Sequence, residues 1–121
     1  MSVRTDTVID TREFGVIGGY RIVAEIVPDE AVADPRDWDD SIGAAEYRAW
    51  RDGDWQFVTL IVRALDPATD REAGSAVMGR FTFGRLPGVG EISPLDDDDA
   101  TFANGYGEDL VAEALADARR G

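Results

Sequence analysis

The stretch WQFVTLIVRAL, residues 55–65, decides how the rest of the chain is read. As a strand it puts Trp55, Phe57, Thr59 and Ile61 on one face and Val58, Leu60 and Val62 on the other. Apolar side chains on both faces imply a central strand, covered on both sides by its own chain or on one side by an oligomer partner. Outward from it, SAVMGRFTFG at 75–84 reads as the next strand, with Val77, Phe81 and Phe83 on one face. The loop between them opens with Asp66-Pro67 and is too short for a parallel crossover, so the two strands pair antiparallel. Upstream, YRIVAEIV at 20–27 places Tyr20, Ile22, Ala24 and Ile26 on one face, and Pro28-Asp29 ends it because proline cannot donate to a ladder. Gly15, Gly18 and Gly19 mark a turn or bulge. Residues 1–13 read as a flexible arm or an edge strand.

Between the strands the reading is less uniform. Residues 41–51 are either a short helix capped by Ser41 and carrying Ile42, Ala45 and Ala49, or a strand holding Tyr47 and Ala49. Asp52-Gly53 is a turn in both cases. Residues 85–101 read as irregular. Tyr106, Leu110, Val111, Ala114, Leu115 and Ala118 then recur at helical spacing and predict an amphipathic helix over 105–119. Asn104 is its candidate N-cap, Glu108 and Asp109 suit the positive end of the dipole, and Arg119 and Arg120 suit the other end. The expected fold is α+β, an antiparallel sheet of three to four strands with a C-terminal amphipathic helix packed on one face, forming a single domain over residues 1–121.

Composition excludes much. Cysteine, histidine and lysine are absent, and all 12 basic residues are arginine. A Ser-His-Asp triad, a zinc–thiolate or zinc–histidine site, a Schiff-base lysine and a P-loop lysine therefore have no side chains to be built from. The formal net charge of −13 repels nucleic acid and anionic membrane and favours encounter with basic proteins. No apolar run is long enough for a signal peptide or membrane span, which implies a cytoplasmic protein.

Two acidic clusters stand out as candidate partner-binding residues: Asp37, Trp38, Asp39 and Asp40 in DPRDWDD, and Asp96, Asp97, Asp98 and Asp99 in the aspartate run. Trp38 is either the anchor of its loop or an exposed hot spot ringed by carboxylates. The run from Asp97 offers Asp99, Thr101 and Glu108 at calcium-loop spacing, but Phe102 stands where the loop needs glycine. The Asp37-x-Asp39-x-Ser41 pattern fails the same way, with Ile42 at the glycine position and Arg48 at the glutamate position. Gly105-Tyr106-Gly107 resembles the start of a phosphate loop, yet it lacks a third glycine and sits among acids. No metal, cofactor or catalytic residue is expected.

The segments DPRDWDD (34–40), WRDGDWQFVTLIV (50–62) and YGEDLVAEALADAR (106–119) resemble a family of small acidic uncharacterised proteins of bacteriophages and mobile elements in GC-rich bacteria. What the resemblance implies is an accessory role, acting on a host factor.

The expected function is a non-enzymatic acidic accessory protein that binds a basic protein, host or otherwise; the sequence leaves its oligomeric state open, a dimer included. One alternative is a DNA mimic that inhibits a nucleic-acid-binding enzyme such as a restriction or CRISPR nuclease, which requires its acids to form a continuous stripe. Another is a small carboxylate-based enzyme or ligand-binding domain, which requires a pocket with convergent polar groups. A self-assembling module rests on the doubly apolar strand alone.

Overall fold

The computed structural model describes residues 8–29, 34–38, 41–99 and 101–120. Five antiparallel strands lie in sequence order: β1 (Asp10–Ile17), β2 (Tyr20–Pro28), β3 (Trp55–Leu65), β4 (Glu72–Leu86) and β5 (Gly90–Ile92). The helices are α1 (Pro35–Trp38), α2 (Ala44–Arg51) and α3 (Gly107–Arg120), the last preceded by a 3-10 turn at Ala103–Gly105. The sheet therefore has more strands than the three to four expected. β1 takes in residues 10–13 of the segment read as a flexible arm or an edge strand, residues 1–7 of which lie outside the described residues, and β5 lies inside the stretch that reads as irregular. β5 spans only three residues, too few to show a period.

β3 is the central strand. Its even-numbered side chains Val58, Leu60, Val62 and Ala64 lie in the main core beside Ile22, Ala24 and Ile26 of β2 and Ala76 and Phe81 of β4. Leu110, Ala114, Leu115 and Ala118 of α3 close this face, and Phe102 joins them from the preceding loop. Full burial of each large apolar side chain contributes about 1.5–3 kcal/mol. α3 comes close because small residues meet there: Gly74 of β4 lies directly under the backbone of Ala114 and Ala118.

The odd-numbered face of β3 is covered at one end. Trp55 and Phe57 meet edge to face at 5.3 Å and bury Ala49 of α2, with Ile42, Trp50 and Leu86 packed around them. Trp55 Nε1 donates to the Glu46 carbonyl at 2.8 Å, which pins α2 to the strand. Residues 41–51 are thus resolved in favour of the helix, though Gly43 rather than Ser41 occupies its N-cap, and the Gly43 N–H donates to Glu46 Oε1 at 3.0 Å. Farther along the same face, Arg63 donates to Glu25 and Glu72, and Arg21 to Glu13 and Asp70. Burial works against the charge on Arg63, but the two carboxylates outweigh it and its pKa is raised.

One bulge changes the reading of β4. Val58 pairs with Phe81 but Leu60 pairs with Met78, so β4 carries an extra residue at Gly79–Arg80. Arg80 adopts φ 65°, and its N–H donates to Asp29 Oδ2 at 2.8 Å. The extra residue inverts the strand's alternation. Ala76 and Met78 face the main core before it and Phe81 and Phe83 after it, whereas Val77 turns the other way and is 62% exposed. The expected grouping of Val77 with the two phenylalanines is therefore corrected. Gly15, at φ 80°, sits at a second bulge in β1, and Gly18-Gly19 form the β1–β2 turn with both residues at positive φ.

The C-terminal helix begins two residues later than its periodicity implies. Asn104 is not its cap; it lies in the 3-10 turn at φ 57°. Phe102 accounts for this, because its ring is fully buried and fills the space where a Cβ on Gly107, at the start of α3, would stand.

Candidate functional site

The two acidic clusters fall in different parts of the molecule. Asp37 and Trp38 end α1, while Asp39 and Asp40 lie outside the described residues. Pro35, at the start of α1, lines a hollow with Ile42, Trp55 and Phe57. Asp96 lines another groove altogether, with which that hollow shares no residue.

The Asp96–Asp99 loop is held in shape by β1. Arg12 donates from Nη1 to the carbonyls of Leu95 (2.7 Å) and Asp97 (2.6 Å), and from Nη2 to Asp99 Oδ1 at 2.6 Å. Its guanidinium lies 4.5 Å over the Phe14 ring, which itself stacks on Phe102 at 4.7 Å. Asp98 Oδ1 accepts from the Thr101 N–H (3.0 Å) and hydroxyl (2.8 Å). Leu95 and Phe102 anchor the loop's two ends in the core. The four aspartates remain exposed. The loop thus presents carboxylates on a backbone already ordered, so a partner would lose little entropy in binding it. Phe102, the residue that broke the calcium spacing, is a core residue here. Among the described residues no group of three or more acidic side chains is arranged to hold a metal ion.

Asp96 opens onto a shallow groove of about 670 Å³ whose other carboxylates are Asp10, Asp54 and Glu91. Among the described residues, Arg85 is the one cation lining it, and it is bound to Glu91 at 2.9 Å. The groove exists because Gly84, at φ 125°, lets β4 pass against the backbone of Asp54 and Trp55. Sequence reasoning missed Asp10, Asp54 and Glu91. They come from three separate elements, and no local pattern joins them.

Positive charge gathers elsewhere. Arg36, Arg48 and Arg51 line a hollow of about 370 Å³ beside Tyr47 on the outer side of α2. Arg36 lies 3.9 Å over the Tyr47 ring, and Tyr47 Oη donates to Asp34 at 3.0 Å. The Arg36 backbone N–H is the main reason the Asp34 carboxyl titrates below its ordinary value.

Asp117 behaves likewise. The backbone N–H of Ser75 donates to Asp117 Oδ2 at 3.0 Å and Arg120 donates to Oδ1 at 2.9 Å, and these bonds lower its pKa in that order of importance. A carboxylate with a depressed folded pKa stabilises the fold above its unfolded pKa, and that stability is lost as pH falls through the folded value. Asp117→Asn is therefore expected to lower the urea midpoint at neutral pH. The gap to the parent should narrow on acidification below about pH 4. An equal gap at both ends of a urea-versus-pH series would show that the Ser75 and Arg120 bonds do not depend on the charge.

Fold and surface together define an α+β protein: a five-stranded antiparallel sheet backed by a C-terminal helix, with an arginine-clamped acidic loop beside an acidic groove. Among the described residues, no helix is long and apolar enough to cross a membrane. Comparison with protein-family models, with curated proteins and with solved structures finds no match.

Proposed function

We propose that this chain is a non-enzymatic acidic accessory protein that binds a basic protein partner. The observation that carries this reading is the acidic groove continuous with the ordered Asp96–Asp99 loop, on a chain of net charge −13. Its polar groups line an open depression and do not converge on a closed cavity, which favours a protein surface over a small substrate. The resemblance to small phage and mobile-element proteins supports an accessory role in the same direction. A DNA mimic calls for an unbroken row of carboxylates. Arg12, Arg21, Arg63 and Arg85 are laced among the acids they bind, so we rank the basic-protein reading first.

The reading is tested by affinity capture from cell extract at low salt, with mass spectrometry. It expects basic proteins that are released as ionic strength rises, since screening over about 8–10 Å removes attraction between exposed charges. The combined variant Asp54→Asn, Glu91→Gln, Asp96→Asn is expected to slow association by about tenfold at low salt with little effect on folding. Recovery of acidic proteins only, or binding indifferent to salt, would sink it.

A further inference from the structure

β4 is 15 residues long, yet β5 pairs with only Gly84, Arg85 and Leu86. From Glu72 to Phe83 its side away from β3 meets no strand among the described residues. Ser75 gives its N–H to Asp117, so its backbone polar groups turn away from β3. Val77, two residues on, has the same orientation, because strand backbone groups alternate sides with each residue. The Ser75 N–H is taken by Asp117 and the bulge at Gly79–Arg80 ends this run, which leaves the Val77 N–H and the outward carbonyls of Ser75 and Val77 as the open template.

α3 runs beside that template. Asp117 touches Ser75, while Asp109 and Glu113 flank a small hollow of about 160 Å³ floored by Val77, Met78, Tyr106 and Leu110. Val77 and Tyr106 are among the few large apolar side chains exposed, at 62% and 51%. Asp109, Glu113 and Asp117 recur every fourth residue and so share one face of the helix. Four helical residues rise about 6 Å, and two strand residues span about 6.7 Å. Alternate side chains of a strand laid on the β4 edge would therefore meet successive carboxylates of α3.

We propose that the open edge of β4 around Val77, from the Ser75 carbonyl to Met78, takes an extended segment of a partner protein as an added strand. Its alternate positions are arginine or lysine facing Asp109 and Glu113, and the position between them is apolar and lies beside Val77 on the other side of the sheet. Main-chain bonds hold the segment and the carboxylates select it. A second copy of this chain is disfavoured there, because it brings the same carboxylates and the same net charge of −13. This inference rests on the basic-partner reading and gives it a place.

The probe is a short peptide of alternating arginine and valine, set against the same residues in two blocks, titrated into isotope-labelled protein at low salt. Amide shifts are expected at Gly74–Met78 and at Asp109–Glu113, with slowed hydrogen exchange at the Val77 amide, and weaker binding of the block peptide. Val77→Pro removes the outward N–H at an edge position where proline is tolerated, and is expected to weaken binding by more than about tenfold. Asp109→Asn with Glu113→Gln is expected to weaken it about fivefold, two exposed ion pairs being lost. If Val77→Pro fails to fold, the amide map and the double variant decide. Binding that shifts Asp54, Glu91 and Asp96 but leaves Gly74–Met78 unmoved overturns the edge proposal and leaves the basic-partner reading standing. Absence of binding by either peptide at low salt overturns the edge proposal, while the basic-partner reading stands or falls on the affinity capture. Concentration-dependent dimers with a protected Val77 amide and no peptide present would assign the edge to a second copy instead.

Discussion

Gly74→Ala is expected to destabilise the protein by about 3 kcal/mol, the upper end of what overpacking costs, because nothing nearby can give way. The added methyl would stand 2.5 Å from the Ala114 carbonyl oxygen and 2.8 Å from Ala118 Cα, and closer still to the Ala118 nitrogen. These are backbone atoms of α3, not side-chain ends that rotate aside. Gly74 does not hold the left-handed conformation, so alanine fits its backbone and would otherwise stabilise slightly through the unfolded state. The expected loss is therefore purely steric. α3 would have to lift, uncovering Leu110, Ala114, Leu115 and Ala118. Urea unfolding measures it, and a loss below about 1 kcal/mol would mean that α3 is not seated on this glycine.

Phe102→Ala is the second large effect, expected to cost about 3–5 kcal/mol. The ring is fully buried, stacks on Phe14 at 4.7 Å and underlies the Arg12 guanidinium at 5.8 Å. Its removal leaves a cavity where the acidic loop, β1 and the start of α3 meet. Beyond lost stability, faster amide hydrogen exchange is expected at Leu95–Asp99, while the far end of the sheet near Leu65 keeps its protection until global unfolding. Loop exchange unchanged in a folded variant would show that Arg12 alone orders the aspartates. With a total stability of about 5–15 kcal/mol for a typical domain, either substitution leaves a marginal protein.

Much of the fold was legible. Three strands, the C-terminal helix and the antiparallel order follow from alternation and helical spacing, because the buried faces of β2, β3 and α3 are long enough to display a period. β3 carried apolar residues on both faces because α3 covers one and α2 covers the Trp55 end of the other. What misled was local. The bulge at Gly79–Arg80 breaks the period-two rule, and nothing in GR marks it without its partner Asp29, which is 51 residues away in sequence. Asn104 has a capping side chain, yet the burial of Phe102 decides where α3 begins.

The candidate site divides the same way. The aspartate run is visible in any reading of the chain, whereas its clamp, Arg12, lies 87 residues from Asp99. The groove of Asp10, Asp54 and Glu91 and the open edge of β4 have no signature in one dimension. Residue identity and local order were enough to set the charge, the missing histidine, cysteine and lysine, and the periodic elements, since none of these needs a contact between distant segments. The tertiary structure alone decided which carboxylates stand together, which glycine carries the helix, and which strand edge pairs with no further strand among the described residues. Those properties are set by contacts between segments far apart along the chain, and no local pattern encodes them.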